Sequence, residues 1–125
     1  MIERKNGRFT FRVALRDVQG DGGLAIHVHG PTPSSNLEEV LRFDCFDQQP
    51  HYHTAWSYRS DPFIPITARD PFAWAIEKLG CDMPMLLAQA DAVPMDDTEL
   101  DALAETLQAI AADGETLLGI RTTNP

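Results

Sequence analysis

The fold is decided by residues 8–30, which read RFTFRVALRDVQGDGGLAIHVHG. In the first half of this stretch every second residue is apolar, and the alternation returns over residues 24–28. A period of two is typical of a strand with one buried face. The glycine-rich residues 19–23 between the two runs favour a turn. We therefore predict an antiparallel hairpin in which Val13 lies opposite Val28.

Two further strands are predicted after this hairpin. Residues 38–46 and 51–60 both alternate between apolar and polar side chains, and a proline-containing stretch separates them. Ser35 and Glu38 also match the spacing of a capping box, so a helical turn at 36–40 stays open as an alternative.

Helical patterning replaces the strand pattern in the second half of the chain. An Asp-Pro pair at 70–71 suits a helix start, and Gly80 suits a helix end. We predict a second helix over about residues 82–90. A third is predicted near 97–113, with acidic residues at its start and Gly114 after its end.

This order of elements predicts an α+β fold for a single domain, residues 1–125. A four-stranded antiparallel sheet over residues 8–60 would carry about three helices, from residues 70–113, on its apolar face. The polar face of the sheet would then be exposed.

Charge and composition exclude several classes of protein. The 125 residues carry a net charge of −9, all of it in residues 61–125, because residues 1–60 hold seven basic and seven acidic residues. This balance argues against non-specific binding to nucleic acid or to an anionic membrane. Two cysteines make no disulfide framework, and no apolar run has the length of a membrane helix. We expect a cytoplasmic protein.

The histidines give the most informative pattern. All four occur in two His-x-His pairs, at 27–29 and 51–53. Alternate residues of a strand share a face, so both pairs are expected on the polar face, together with Arg8, Arg16 and a central Asp44. The candidate ligand-binding residues there are Arg12, His27, His29, Arg42, Asp44, His51, His53 and Arg59.

This residue set favours a binding module without catalysis. Guanidinium groups bind phosphate and carboxylate, so an anionic ligand or a protein partner is the leading expectation. An open sheet face also suits self-association about a twofold axis, and we expect a homodimer. No cofactor is expected.

Two alternatives stay open. A metal-independent ribonuclease acting on RNA would use His51 or His53 for proton transfer, with Arg42 and Arg12 for charge stabilisation. A transition-metal site would instead use all four histidines, because imidazole is a common metal ligand. An intervening strand would separate the two pairs by nearly 10 Å, roughly two strand spacings. The alternative metal ligands are His27, His29, His51 and His53.

Three segments carry a resemblance to a known family. Residues 41–46 (LRFDCF), 50–53 (PHYH) and 70–75 (DPFAWA) resemble a family of small bacterial proteins of unknown function. The resemblance spans about residues 37–115 and implies no established activity. More distantly, the motif Arg-x-Asp at 42–44 before a histidine-rich strand is similar to the toxin component of bacterial toxin–antitoxin pairs. That similarity implies a small α+β ribonuclease-like protein.

Overall fold

The computed structural model describes residues 1–54 and 63–123, which form an α+β fold as predicted. Within these residues each strand pairs with the next in sequence, giving one six-stranded antiparallel sheet that precedes three helices. The strands are β1 (Ile2–Asn6), β2 (Phe9–Val18), β3 (Asp21–Thr32), β4 (Ser35–Phe46), β5 (His51–His53) and β6 (Phe63–Pro65). The helices are α1 (Pro71–Gln89), α2 (Asp97–Asp101) and α3 (Leu103–Thr123). The single helix predicted near 97–113 is thus divided between α2 and α3.

The hairpin of β2 and β3 forms in a different register from the predicted one. Gln19 and Gly20 alone make the turn, with φ values of 54° and 84°, as a two-residue type I′ turn requires. The strand therefore resumes directly after Gly20, and Val13 pairs with Ile26 instead of Val28. Because the shift is two residues, every side chain keeps its predicted face.

The described sheet has six strands where the sequence predicted four. β1 was missed because it reads IERKN, a charged segment with no clear alternation. β6 was missed because it has three residues and ends in proline. The predicted strand 51–60 is seen as β5, and residues 55–62 lie outside the described part of the chain. The helical turn considered at 36–40 is not formed, since those residues belong to β4.

Two glycines that were predicted to end helices lie inside them. α1 continues through Gly80 and bends at Asp82 (φ −124°, ψ 19°), two residues before Pro84, so the predicted second helix is its last part. α3 runs through Gly114, where a Cβ would come within 2.5 Å of the Phe72 ring of α1. Gly114 therefore permits close packing of two helices rather than helix termination. No helix among the described residues is both long and apolar enough to cross a bilayer.

The helices cover one face of the sheet. Trp74 of α1 contacts Phe43 of β4 and Tyr52 of β5, with ring centroids 6.4 and 5.6 Å apart. Because side chains alternate along a strand, the neighbours of Phe43 and Tyr52 point to the opposite face. We call that opposite face the histidine face; the polar residues on it that concern the site are Arg12, Arg16, His27, His29, Glu39, Arg42, Asp44, His51 and His53. The largest fully buried residues are Phe9, Phe11, Val13, Ile26, Val28, Leu41, Phe43, Leu79, Met83, Leu86, Leu87 and Ile110.

The turn between β1 and β2 is fastened to α2 by the buried side chain of Glu99. Its carboxylate accepts hydrogen bonds from the backbone N–H of Arg8 at 2.6 Å, from the Arg8 guanidinium at 2.7 Å and from the N–H of Asp96 at 2.9 Å. Asn6 donates to the Glu99 carbonyl oxygen at 2.9 Å. Gly7 has a φ of 59°, and a Cβ there would overlap the Glu99 carboxylate. Arg8 was predicted on the histidine face, which is wrong because it belongs to this turn.

These contacts favour the ionised form of the Glu99 carboxyl. Burial by itself would raise the pKa of Glu99, but the hydrogen bonds from Arg8 and Asp96 outweigh burial and lower the pKa from 4.5 to about 2. A carboxyl whose pKa is lower in the folded state stabilises the fold above its unfolded pKa. That contribution is lost as the pH falls from about 4.5 towards 2.

We expect Glu99→Gln to lower the free energy of unfolding at pH 7 by about 2–3 kcal/mol, because Arg8 and the nearby N–H groups lose a charged acceptor. The variant should also lose less stability than the wild type between pH 4.5 and 2. Urea denaturation at several pH values measures both effects. Glu105→Gln, at an exposed position of α3, is the control. Equal losses in the two variants would contradict this role for Glu99.

Candidate functional site

Asp44 is the central charged group of the histidine face. It is 2% exposed and lies on β4, which is paired with strands on both sides. Its Oδ1 accepts a hydrogen bond from Arg16 Nη1 at 3.0 Å, and its Oδ2 accepts one from Arg42 Nε at 3.1 Å. The Arg16 and Arg42 side chains are 33% and 32% exposed. Two half-buried guanidinium groups therefore converge on one buried carboxylate.

Arg16 reaches Asp44 across a whole strand. Arg16 lies on β2 and Asp44 on β4, and β3 runs between them. On β3, Gly23 lies opposite Arg16, and Ala25 lies opposite Asp44. These small residues leave space above β3, so the long arginine side chain crosses it to the carboxylate. Gly23 and Ala25 thus place no long side chain between Arg16 and Asp44.

Two histidines of β5 approach the same carboxylate oxygen. In the β4–β5 register His51 lies opposite Asp44, and His53 lies opposite Arg42. The Nε2 atoms of His51 and His53 lie 3.1 and 3.9 Å from Asp44 Oδ2. Possible ligand atoms of Asp44, His51 and His53 all lie within 4.8 Å of one another. We call these three residues the Asp-His-His cluster.

The His51 ring is held in one orientation. Its Nδ1 lies 2.8 Å from the carbonyl oxygen of Gln49, and because a carbonyl only accepts, Nδ1 carries a proton. The ring stacks on Phe63 at a centroid distance of 4.1 Å and meets Phe46 edge-on at 6.0 Å. His51 Nε2 is therefore directed at Asp44 Oδ2.

His27 and His29 form a separate group with Glu39. His27 Nδ1 lies 3.5 Å and Arg42 Nη1 3.8 Å from Glu39 Oε1. The register of β3 and β4 shifts beside His29, and Val40 is left as the extra residue of a bulge. Strict alternation would have placed Glu39 on the helix-covered face, so the bulge redirects it to the histidine face.

The charge states in this second group follow from its surroundings. Burial, and then the nearby charge of Arg12, lower the pKa of His29. The His29 Nδ1 atom is buried with no hydrogen-bond partner within the described part of the chain. Burial opposes ionisation of Glu39, but the hydrogen bond with His27 and the surrounding positive charges lower the Glu39 pKa overall. This group accordingly pairs an ionised Glu39 with a His29 that is neutral at pH 7.

Among the described residues, the four histidines considered as alternative metal ligands do not form a single group. Arg42 pairs with His27 on one side and with His53 on the other, so a guanidinium-bearing residue stands between the two histidine pairs. His51 and His53 instead join Asp44 of the adjacent strand. Of the residues considered for a ribonuclease, His51, His53 and Arg42 lie together beside Asp44, whereas Arg12 pairs with Glu3.

The remaining predicted site residues lie apart from this cluster. Arg12 is at the β1 side of the face, where its Nε lies 2.7 Å from Glu3 Oε2. Arg59 lies outside the described residues. Sequence reasoning missed Glu39, because its position depends on the bulge, and Phe63, because β6 was not predicted. The one available signal was that Glu39 is a charged residue within the predicted strand 38–46.

Within the described residues, each arginine of the histidine face contacts a carboxylate. Arg12 contacts Glu3, and Arg16 and Arg42 contact Asp44. These acids balance most of the arginine charge. A surplus of positive charge, which the anion-binding expectation needs, is therefore small in the protein alone.

A family model described as a domain of unknown function (DUF7700) matches residues 4–113. The chain belongs to this family. The matched part of this DUF7700 protein contains the whole sheet except its first residues, and it includes the Asp-His-His cluster. Comparisons with curated proteins and with solved structures find no match.

We expect Asp44→Asn to lower the free energy of unfolding by about 2–3 kcal/mol in chelator-treated protein, because Arg16 and Arg42 lose a buried, charged acceptor. Glu3, the partner of Arg12, is more exposed than Asp44. Glu3→Gln should therefore lower the free energy of unfolding by less than about 0.5 kcal/mol. Urea denaturation of both variants at pH 7 makes the comparison. If Asp44→Asn were no more destabilising than Glu3→Gln, Asp44 would not organise this face.

Proposed function

We propose that this DUF7700 protein binds a divalent transition-metal ion at the Asp-His-His cluster and acts as a binding module through that ion. One observation carries the proposal: two imidazole nitrogens and one carboxylate oxygen, from adjacent strands, converge on a common point. This ligand set differs from the four histidines considered from the sequence. The proposal also replaces the expectation that the protein has no cofactor.

The orientation of His51 supports a cation at this point. Its Nδ1 proton is directed at the Gln49 carbonyl oxygen, so in the neutral ring the lone pair of Nε2 faces Asp44 Oδ2 at 3.1 Å. Two electron pairs at this distance need a positive centre between them. One proton can bridge only one nitrogen to the oxygen, whereas a metal ion also engages His53 Nε2, 3.9 Å from the same oxygen.

The spacing and the atom types agree with a transition metal. Ligands at about 2.0–2.2 Å from a tetrahedral ion lie roughly 3.4 Å from one another. The distances of 3.1 and 3.9 Å from Asp44 Oδ2 to the two Nε2 atoms lie on either side of that value. Imidazole with one carboxylate suits zinc or iron, whereas calcium and magnesium prefer oxygen ligands alone.

Groups around the cluster hold the ligands in place. Ligating histidines commonly donate a hydrogen bond from the N–H of their second ring nitrogen to a carbonyl oxygen, as His51 does to Gln49. Asp44 is oriented by Arg16 at Oδ1 and by Arg42 at Oδ2. A carboxylate oxygen has two lone pairs, so Oδ2 can accept from Arg42 and still bind an ion.

The other expectations have less support. The arginines contact carboxylates in the protein alone, which weakens the case for direct anion binding without a metal. The comparisons add nothing in favour of a ribonuclease-like toxin.

The proposal is tested by metal binding to protein that was purified without a polyhistidine tag and stripped with a chelator. We expect one Co²⁺ per chain, measured by calorimetry, with visible absorption typical of nitrogen and oxygen ligands. His53→Ala and His51→Ala should each weaken Co²⁺ binding by at least about tenfold. His29→Ala, which removes an imidazole of the same face but outside the cluster, should leave the affinity unchanged.

Two further measurements keep this test decisive. Circular dichroism of each metal-free variant checks folding, and His53→Gln provides a variant of more similar volume if His53→Ala does not fold. No Co²⁺ binding by the folded wild type would overturn the proposal. Equal loss of affinity in the His53 and His29 variants would also count against the cluster.

A further inference from the structure

Metal binding would leave the histidine face with an excess of positive charge. A divalent ion, Arg16 and Arg42 would then lie against the carboxylates of Asp44 and Glu39. Those groups together carry two more positive than negative charges. Asp44 is 2% exposed, so water screens this excess poorly. The charge balance of the loaded site thus calls for an anion.

The same site has unused capacity to bind an anion. Three protein ligands leave at least one position on the ion for an outside ligand. Each guanidinium has five N–H donors, and within the described residues Arg16 and Arg42 each give Asp44 one hydrogen bond, Arg16 from Nη1 and Arg42 from Nε. Both side chains remain about one-third exposed.

We infer that the metal-loaded cluster takes a small oxyanion, a carboxylate or a phosphate, as its outside ligand. One oxygen coordinates the ion, and further oxygens accept hydrogen bonds from Arg16 and Arg42. Planar guanidinium groups match the oxygen spacing of both anions. This inference rests on the proposed metal binding and names the ligand class of the same site. The anion expected from the sequence would then bind through the ion rather than through the arginines alone.

The aromatic border of the site favours carboxylates that carry an apolar group. Phe63 stacks on His51 and is 52% exposed. An apolar substituent on the ligand could cover the outer part of this ring, whereas inorganic phosphate has no group to do so. We therefore expect benzoate to bind more tightly than acetate.

The experiment is an anion titration of the Co²⁺-loaded protein, followed by its visible absorption. Inorganic phosphate, acetate and benzoate are the probes. We expect at least one of them to shift the cobalt spectrum saturably. By thermodynamic reciprocity, the anion that binds should tighten Co²⁺ binding by the same factor by which Co²⁺ tightens anion binding.

Variants separate this inference from the metal proposal. Arg16→Gln should weaken anion binding to the loaded protein by about tenfold or more, because it removes a charged donor, while Co²⁺ still binds. Arg12→Gln, which alters an arginine paired with Glu3 on the same face, should leave anion affinity unchanged. If Co²⁺ binds but none of the anions changes its spectrum, the inference is wrong and metal binding still stands. The same conclusion follows if Arg16→Gln binds the anion as tightly as Arg12→Gln and the wild type do. If Co²⁺ does not bind at all, the proposed function itself fails.

Discussion

A buried carboxylate in the middle of a sheet needs hydrogen-bond donors and positive charges beside it, and the residues of the histidine face supply them. Asp44 lies on a strand paired on both sides and is 2% exposed. Leaving such a charge unpaired is very costly. Within the part of the chain that the structure describes, four side chains from β2, β4 and β5 meet it, namely Arg16, Arg42, His51 and His53.

The helix-covered side also holds a buried carboxylate, but its role is to hold the fold together. Glu99 is also 2% exposed, but its partners are the Arg8 guanidinium and backbone N–H groups at a turn and at a helix start. Gly7 lies against this carboxylate and leaves no space there for another group. Glu99 therefore joins two parts of the fold. Asp44, by contrast, shares one oxygen with two imidazole nitrogens that are themselves suited to bind an ion.

This difference explains why the polar side of the sheet is the candidate site. In the protein alone, its arginines are paired with carboxylates and the face is close to neutral. A bound ion would convert the same residues into a cationic pocket. Metal and anion would then each raise the affinity of the other, which is how a face with little excess charge of its own can still act as an anion site.

The sequence by itself determined the α+β class, the hairpin, the helix start at Asp70 and the face of each histidine, because these depend on local alternation and on residue-specific backbone preferences. Only the tertiary structure decided which polar residues meet. The tight turn at Gln19 and Gly20 moved the register by two residues without changing faces. The bulge at Val40 brought Glu39 to His27, and Gly114 continued a helix because Phe72 packs against it. The contacts of Glu39 and Gly114 depend on residues distant in the chain, and a local pattern carries no information about them.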